Sequence, residues 1–173
     1  MQEIKLIICD VDGVLTAGEI IYDINGNELK KFNVKDGFGI KAAQLTGVKV
    51  GVITARESEV VHRRVKELGM AELYHYGVHD KAVAVAKLAE AASVPLSAVA
   101  FIGDDVIDMP AMKEVGFPIA VGDAVQEVKD IAVFTTERFG GHGAVREVIE
   151  KILRIQGTWH RVIETYGGAR KTL

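Results

Sequence analysis

The sequence predicts an α/β fold with a mostly parallel, doubly wound sheet, and two observations carry this prediction. Short apolar runs alternate along the chain with stretches of helical periodicity. This alternation is typical of parallel strands covered by helices on both faces, which gives three layers. The chain has 173 residues, of which 49% are hydrophobic, enough for one domain with a substantial core. In such sheets, ligands bind beyond the carboxyl ends of the strands.

Five apolar runs are predicted strands, and the first, IKLIIC, ends directly before Asp10. Three stretches between and after the strands have helical character: SEVVHRRVKEL, the Ala-rich KAVAVAKLAEAA, and AVREVIEKILRI. In the first of these, one helical face is predicted to carry Val60, Val61, Val65 and Leu68. The other predicted strands span residues 49–54, 97–104, 118–121 and 131–136.

An inserted segment, GEIIYDINGNELKKFNV, interrupts the alternation after the first strand. Asn25-Gly26 suits a type I′ turn between two β-rich runs, which predicts a β-hairpin at about residues 17–34. Two strands alone are marginally stable in water, and these are too apolar for a solvated flap. We expect the hairpin to pack against another surface, with a second subunit as one candidate. Its apolar residues are Ile20, Ile21, Tyr22, Ile24, Phe32 and Val34.

Composition and charge disfavour several classes of partner. The net charge is −3, so no large positive field is available to attract nucleic acid or an anionic membrane. No apolar run reaches the roughly 18 residues of a membrane span. A single cysteine, Cys9, and no evident signal peptide predict a cytoplasmic location. We expect one domain over residues 1–156, followed by a loose, Gly-rich and basic tail over residues 157–173.

Two carboxylates, Asp10 and Asp12, follow the first predicted strand. In an extended chain, residues two apart point the same way. Gly13 follows and would allow a ligand to approach the backbone. One acid could attack a phosphorus atom to form an aspartyl-phosphate, while the other donates and accepts protons. An isolated pair of this kind is more often a simple turn, so the interpretation needs support from elsewhere.

Polar residues at the next strand-to-helix junctions provide part of that support. Thr54 ends the second predicted strand, where its hydroxyl could bind a phosphate oxygen or cap the following helix. Lys81 begins the Ala-rich stretch and could neutralise a phosphate, although most lysines are solvated surface charges. Hydroxyl and ammonium thus follow the first acids in order along the chain.

A second acidic cluster, Asp104, Asp105 and Asp108, follows the third predicted strand. Together with the first acids it would form an oxygen-only site, which suits Mg²⁺. Asp108 alone could instead cap the helix that Pro110 opens. The five histidines lack the spacing of a zinc site.

This ordered set resembles the haloacid dehalogenase-like phosphatase superfamily, whose four motifs correspond here to DVDGVLT, Thr54, Lys81 and GDDVID. Four further segments are similar to the 3-deoxy-D-manno-octulosonate 8-phosphate (KDO 8-phosphate) phosphatases: FNVKDGFGIK, ITAR, GDDVIDMPAM and GGHGAVREV. Members of that family have a Rossmann-like core with an inserted β-hairpin and no large cap domain. One departure is His142, where the family pattern GGRGAVRE has arginine, so any contact made from that position must differ.

The resemblance implies Mg²⁺-dependent hydrolysis of KDO 8-phosphate, a step in lipopolysaccharide precursor synthesis, and a homotetramer. It implies Asp10 as nucleophile and Asp12 as general acid/base, with Thr54 and Lys81 on the phosphate. Mg²⁺ would be held by Asp10, the Asp12 carbonyl and Asp104, with Asp105 and Asp108 around its water shell. The positions that match the substrate pocket are Asn33, Val34, Lys35, Asp36, Gly37, Lys41, Arg56 and Arg64.

Three alternatives stay open at this point. A nine-carbon sugar acid 9-phosphate could be the substrate, although Arg56 favours the eight-carbon acid, because nine-carbon-specific relatives are expected to differ there. A phospho-accepting receiver domain also combines acids, Thr, Lys and Mg²⁺, but places the phosphorylated Asp on a middle strand. A catalytically inactive assembly subunit is disfavoured by the intact motifs.

In the tail, Arg170 or Lys171 could reach a neighbouring subunit's substrate, or the segment could be terminal disorder.

Overall fold

A six-stranded parallel sheet forms the centre of the structure, a computed structural model that describes residues 3–168. The strands are β1 (Leu6–Cys9), β2 (Ile21–Tyr22), β3 (Glu28–Leu29), β4 (Lys49–Ile53), β5 (Tyr74–His75), β6 (Val99–Gly103), β7 (Phe117–Ala120) and β8 (Phe134–Thr135). The order across the sheet is β5-β4-β1-β6-β7-β8, and every neighbouring pair is parallel. A separate antiparallel pair, β2 and β3, forms the hairpin.

Helices cover both faces of the sheet, as the sequence predicted. The helices are α1 (Val34–Thr46), α2 (Glu59–Leu68), α3 (Lys81–Ala91), α4 (Met109–Glu114), α5 (Gln126–Ile131), α6 (Ala144–Ile155) and α7 (Trp159–Tyr166). Helices α1, α6 and α7 pack against one another, and α3 packs against α4. Within residues 3–168, no helix combines the length and apolar character needed to cross a membrane.

The central position of β1 explains its composition. Its four residues, LIIC, are fully buried because the strand has neighbours on both edges and helices on both faces. Only a continuous apolar run suits that position. The predicted three-layer, doubly wound α/β fold with an inserted hairpin is therefore confirmed, and β1 carries the first acids to the centre of the sheet's carboxyl edge.

Two details of the strand prediction were wrong. The two-residue strand β5 was not predicted, because so short an edge strand gives no periodic signal. The last predicted strand, 131–136, began too early, since Ile131 ends α5 and only Phe134–Thr135 pair with β7.

The hairpin turn differs from the predicted type I′ turn, which needs positive φ at both central residues. Among residues 3–168, Ser93 is the only non-glycine residue with positive φ, so Asn25 is excluded, whereas Gly26 has a φ of +81°. The Gly26 amide donates to the Asp23 carbonyl (3.0 Å), and the Asp23 side chain accepts from the amides of Asn25 and Asn27, each at 2.8 Å. The aspartate thus stabilises a turn in which only the glycine is left-handed.

Only some of the apolar side chains of the hairpin pack against the rest of the protein. Phe32 packs against the core, but Ile20, Ile21 and Tyr22 are exposed and Ile24 is fully so. Val34, which begins α1, is 76% exposed. The protomer alone therefore leaves most of this apolar surface in water.

The predicted boundary at residue 156 does not coincide with a break in packing. Residues 159–166 form α7, which packs against α1 and α6 through the buried Trp159 and Val162. The Tyr166 ring also makes an edge contact with Phe38, with 5.0 Å between centroids. The helix therefore belongs to the domain, and the predicted contacts of Arg170 and Lys171 lie outside the described residues.

Candidate active site

The parallel register brings three strand ends together at the carboxyl edge of the sheet. Cys9 pairs with Val52 of β4 on one side and with Ile102 of β6 on the other. The first residues beyond the three strands, Asp10, Thr54 and Asp104, therefore emerge side by side. The structure thus gathers residues that are up to 94 positions apart, Asp10 and Asp104.

A buried ammonium joins the two acidic clusters. Helix α3 begins at Lys81, whose Nζ lies 2.8 Å from Asp10 Oδ1 and 2.6 Å from Asp108 Oδ1. Asp80 caps the helix by accepting from the Val83 amide (3.1 Å), which fixes where the first turn starts. Lys81 is only 3% exposed, so the usual expectation of a solvated lysine does not apply. Burial lowers the pKa of Lys81, but the charges of Asp10 and Asp108 outweigh it and hold that pKa above its ordinary value.

Asp108 is fully buried and organises the loop after β6. Its Oδ2 accepts from the Asp104 amide at 2.9 Å, while its Oδ1 accepts from Lys81. A Cβ at Gly103 would lie 2.7 Å from the Asp108 Cβ, so a glycine is required beneath it. By contrast, Asp105 is exposed and its side chain accepts from the Val106 amide at 2.6 Å. Asp108 thus anchors the loop after β6, and Asp105 lies on the solvent-exposed side of that loop.

Asp10, Asp104 and Asp108 form a site that fits a divalent cation. One carboxylate oxygen from each lies within 4.8 Å of the others. Among the described residues, no group donates a hydrogen bond to the buried Oδ1 of Asp104. An orphaned buried oxygen beside two further acids is the donor set that Mg²⁺ prefers.

The pKa values of the acids show how poorly the cluster is neutralised by protein groups alone. Burial and then the charge of Asp108 raise the pKa of Asp10 to about 7, against the opposing effect of Lys81. Burial, followed by the charges of Asp108, Asp10 and Asp105, raises the pKa of Asp104 to about 8. A bound cation would favour the ionised form of both acids.

Gly13 leaves the space that this cluster occupies. Its φ is +92°, and a Cβ at this position would lie 2.0 Å from Asp104 Oδ2. The loop is also held from outside, because the Gly141 amide donates to the Val14 carbonyl at 2.9 Å. A Cβ at Gly140 would lie 1.7 Å from the Gly13 carbonyl oxygen, so this second glycine is required by the close approach of two backbones.

Asp12 faces the hairpin, where the structure shows residues that sequence reasoning missed. Lys30 donates a short hydrogen bond to Asp12 Oδ1, and its Nζ lies 3.5 Å from Glu28 Oε1. ELKKF carries only part of this signal, since Glu28 and Lys30 are two apart in an extended chain and share a face, but nothing in the pattern places Asp12 beside them. Charged residues in a two-stranded hairpin are usually solvated, so the pattern alone does not indicate a contact with the site.

Thr54 and Arg56 flank this network from the end of β4. Thr54 is buried, and its Oγ1 accepts from the Arg56 amide at 3.3 Å. The Arg56 guanidinium pairs with Glu28 at 2.9 Å and remains partly exposed. Ser58 also donates a short hydrogen bond to Glu28. The loop after β4 therefore presents both a hydroxyl and a cation beside the hairpin.

Of the predicted pocket residues 33–37, the first three lie at the start of α1 and are partly or fully exposed. Asn33 caps α1 by accepting from the Lys35 amide (2.9 Å), and its Nδ2 donates to the Gly141 carbonyl at 3.3 Å. Val34 and Lys35 are exposed. This segment therefore links the start of α1 to the glycine-rich loop before α6.

Asp36 and Gly37 have roles in packing. Asp36 is buried, and its Oδ1 accepts from the Arg146 amide at 2.7 Å in the first turn of α6, where a carboxylate is favourable. Burial nevertheless raises its pKa above the ordinary value, against the hydrogen bonds from α6. A Cβ at Gly37 would lie 2.5 Å from Arg64 Nη2, so the glycine makes room for that guanidinium. Arg64 also lies over the Phe32 ring, with 5.7 Å from Cζ to the centroid.

Lys41 is not brought to the acids. Its ammonium donates to the Leu68 carbonyl (2.8 Å), at the C-terminal end of α2, which lies toward the opposite edge of the sheet. This contact gives no support to its prediction as a substrate residue. His142 is exposed, and its Nδ1 lies 2.8 Å from the Gly140 carbonyl, so it is positioned by its own loop.

Comparisons with known proteins identify the family to which a site of this kind belongs. Residues 67–149 match the family described as haloacid dehalogenase-like hydrolase. The chain is 43% identical over 156 residues to the 3-deoxy-D-manno-octulosonate 8-phosphate phosphatase of Salmonella typhi, covering 90% of this chain and 82% of that protein. It is 39% identical to the Haemophilus influenzae phosphatase of the same name over 173 residues, covering 100% of this chain and 95% of that protein.

Two solved structures of phosphatases with this name are similar to most of the chain. The Moraxella catarrhalis phosphatase, in complex with magnesium, phosphate and KDO, superposes with a TM-score of 0.90 at 41% identity, covering 94% of this chain and 93% of that chain. The cobalt-bound Haemophilus influenzae phosphatase superposes with a TM-score of 0.87 at 41% identity, covering 90% of each chain. The chain therefore belongs to the 3-deoxy-D-manno-octulosonate 8-phosphate phosphatase family of haloacid dehalogenase-like hydrolases.

Proposed function

We propose that this protein is a Mg²⁺-dependent phosphatase that converts KDO 8-phosphate to KDO and phosphate. The observation that carries the proposal is the cluster of Asp10, Asp104, Asp108 and Lys81 at the sheet edge. The Moraxella catarrhalis relative binds magnesium, phosphate and KDO on the same fold. The buried Cys9 thiol suits a reducing compartment, and we propose a cytoplasmic location.

In the proposed mechanism, Asp10 attacks phosphorus while Asp12 protonates the leaving sugar oxygen. This forms an aspartyl-phosphate and releases KDO. Asp12, now ionised, takes a proton from water as that water attacks the phosphorus, which releases phosphate and restores Asp10. The Thr54 hydroxyl and the Lys81 ammonium bind phosphoryl oxygens and stabilise the charge that develops on them.

The residues that would hold Mg²⁺ are Asp10, Asp104 and the Asp12 carbonyl, with Asp108 and Asp105 around them. When bound, the cation supplies positive charge that lowers repulsion between a phosphate dianion and a carboxylate. Asp108 also keeps Lys81 in place through its 2.6 Å contact. A receiver domain is no longer supported, because the chain belongs to a family of hydrolases.

The alternative substrate is a nine-carbon sugar acid 9-phosphate, and Arg56 bears on the choice. Its guanidinium is partly exposed and fixed by Glu28, so it can meet a sugar-acid carboxylate at the mouth of the site. Arg64, which lies over the Phe32 ring, and residues 33–37 at the start of α1 are proposed as further contacts.

We expect wild-type kcat/KM to be higher for KDO 8-phosphate than for the nine-carbon phosphate. Arg56→Ala should lower kcat/KM for KDO 8-phosphate by roughly 10-fold or more, because a charged hydrogen bond is lost. It should affect 4-nitrophenyl phosphate much less, since this substrate has no sugar acid. Arg63→Ala is the matched control, because that side chain is 83% exposed and pairs with Glu67. Equal losses for both substrates would remove Arg56 from sugar recognition.

Metal dependence should vary with pH in a direction set by the raised pKa values. Without metal, Asp10 and Asp104 bind protons up to pH values near 7 and 8, whereas the unfolded chain releases them near pH 4. The folded state therefore holds more protons over this range, and the free energy of unfolding of the metal-free protein falls as pH rises through it. Mg²⁺ binds the ionised acids, so its stabilising effect should grow over the same range.

Thermal unfolding in chelator and in excess Mg²⁺ measures this effect. The Mg²⁺-induced rise in Tm should be small near pH 5.5 and larger near pH 8. Activity should vanish in chelator, return with Mg²⁺, and be supported poorly by Ca²⁺, whose coordination shell is larger and looser. A pH-independent Tm shift, or full activity in excess chelator, would contradict the proposed metal site.

We also propose that the protein is a closed homotetramer. The support is the exposed apolar surface of the hairpin, including Ile21, Tyr22 and Ile24. Copies of this surface could bury one another under closed symmetry, which is the usual outcome for soluble oligomers. The same hairpin carries Glu28 and Lys30 into the site, so assembly and activity should be linked.

Light scattering should give about four times the chain mass of 18.7 kDa. Ile21→Asp should dissociate the assembly, because it places a charge in the apolar surface that the tetramer would bury. It should lower activity in parallel. Val83→Asp on α3 is the matched control, since Val83 is 48% exposed and Ile21 is 43% exposed. A fully active monomer would refute the proposed link.

A further inference from the structure

Lys30 is a buried cation at the mouth of the site. Its side chain is only 2% exposed, and its Nζ contacts Asp12 Oδ1 and lies 3.5 Å from Glu28 Oε1. Removing an ammonium from water is costly unless acids compensate for it. Both compensating acids are present, so the hairpin holds this cation at a defined place.

Glu28 is the second acid that contacts Lys30, and it is itself held by two further groups. Its Oε1 also pairs with Arg56 Nη2 at 2.9 Å, and its Oε2 accepts from the Ser58 hydroxyl. Burial raises the pKa of Glu28, but the bond from Ser58 and the charges of Lys30 and Arg56 outweigh it, so the pKa lies below its ordinary value. A continuous set of contacts therefore runs from the loop after β4, through the hairpin, to Asp12.

We propose that Lys30 is a positioning residue that orients the Asp12 carboxyl group for proton transfer to the leaving oxygen. This inference rests on the proposed phosphatase function. A bond to Oδ1 restricts rotation of the carboxyl group and leaves Oδ2 for the proton. A general acid accelerates the reaction most when its carboxyl group is held in the geometry that proton transfer needs. The hairpin thus supplies part of the acid/base machinery.

Two other roles for Lys30 predict different kinetics. A lysine that only anchors the hairpin would affect all substrates equally when removed. A lysine that binds the phosphoryl group would also affect them equally, because every substrate has that group. Acid assistance, by contrast, matters most for a poor leaving group, since a good one departs without a proton.

The test compares phenyl phosphate, which has a poor leaving group, with 4-nitrophenyl phosphate, which has a good one. Neither carries a sugar, so lost sugar contacts cannot affect the result. For Lys30→Met, kcat/KM for phenyl phosphate should fall on the order of 100-fold, and that for 4-nitrophenyl phosphate less than about 10-fold. Glu28→Gln, which loosens Lys30 without removing it, should change the same ratio in the same direction by a smaller factor.

Lys31→Met is the matched control, because Lys31 is the next residue along the chain and is exposed. It should leave the ratio at the wild-type value. Equal losses on both aryl phosphates for Lys30→Met would overturn the inference, and if that variant does not fold, an unchanged ratio for Glu28→Gln would do so. If the wild-type protein hydrolyses neither aryl phosphate nor KDO 8-phosphate, the proposed function itself fails, which is a distinct result.

Discussion

The burial of like charges beside a single shared ammonium is the constraint on which the site depends. Lys81 contacts Asp10 and Asp108, and Asp104 lies next to both. Charges removed from water are costly unless they are paired, and three acids exceed what one lysine can neutralise. The raised pKa values of Asp10 and Asp104 are the consequence in the metal-free protein. A divalent cation completes the balance, and the glycines at positions 13 and 103 leave the room that these acids need.

The hairpin takes part in this arrangement although it lies outside the main sheet. Its inner face carries Glu28 and Lys30 to Asp12, and its other side chains leave apolar surface in water. One element thus combines a polar contact with the proposed acid/base and a surface suited to another copy of the chain. This is a physical reason for a fold with no large cap to retain an insertion that is marginally stable by itself.

Much of the fold and the centre of the site could be predicted from local patterns. The apolar run before Asp10 indicated a buried strand, and the parallel topology of the sheet then places Thr54 and Asp104 beside its end. The hairpin turn was mispredicted because Asp23, two residues before Asn25, competes for the backbone amides. Lys41 stays a prediction as a substrate residue, and its contact with the Leu68 carbonyl illustrates a different limit, since a position on a helix does not specify which group a long side chain reaches. The contacts of Lys30 depend on how the hairpin folds back over the sheet, which no local pattern specifies.

The most direct test of the central claim, that Asp10 is the nucleophile, is to locate the phosphoryl group during a single turnover. Excess enzyme is mixed with KDO 8-phosphate, the reaction is stopped in acid, and the peptides are analysed for phosphate. The account predicts phosphate on the peptide that contains Asp10, none in Asp10→Asn, and loss of turnover in that variant, whereas the surface control Asp130→Asn behaves as wild type. Phosphate on a different residue, or an Asp10→Asn protein that retains wild-type turnover, would contradict it.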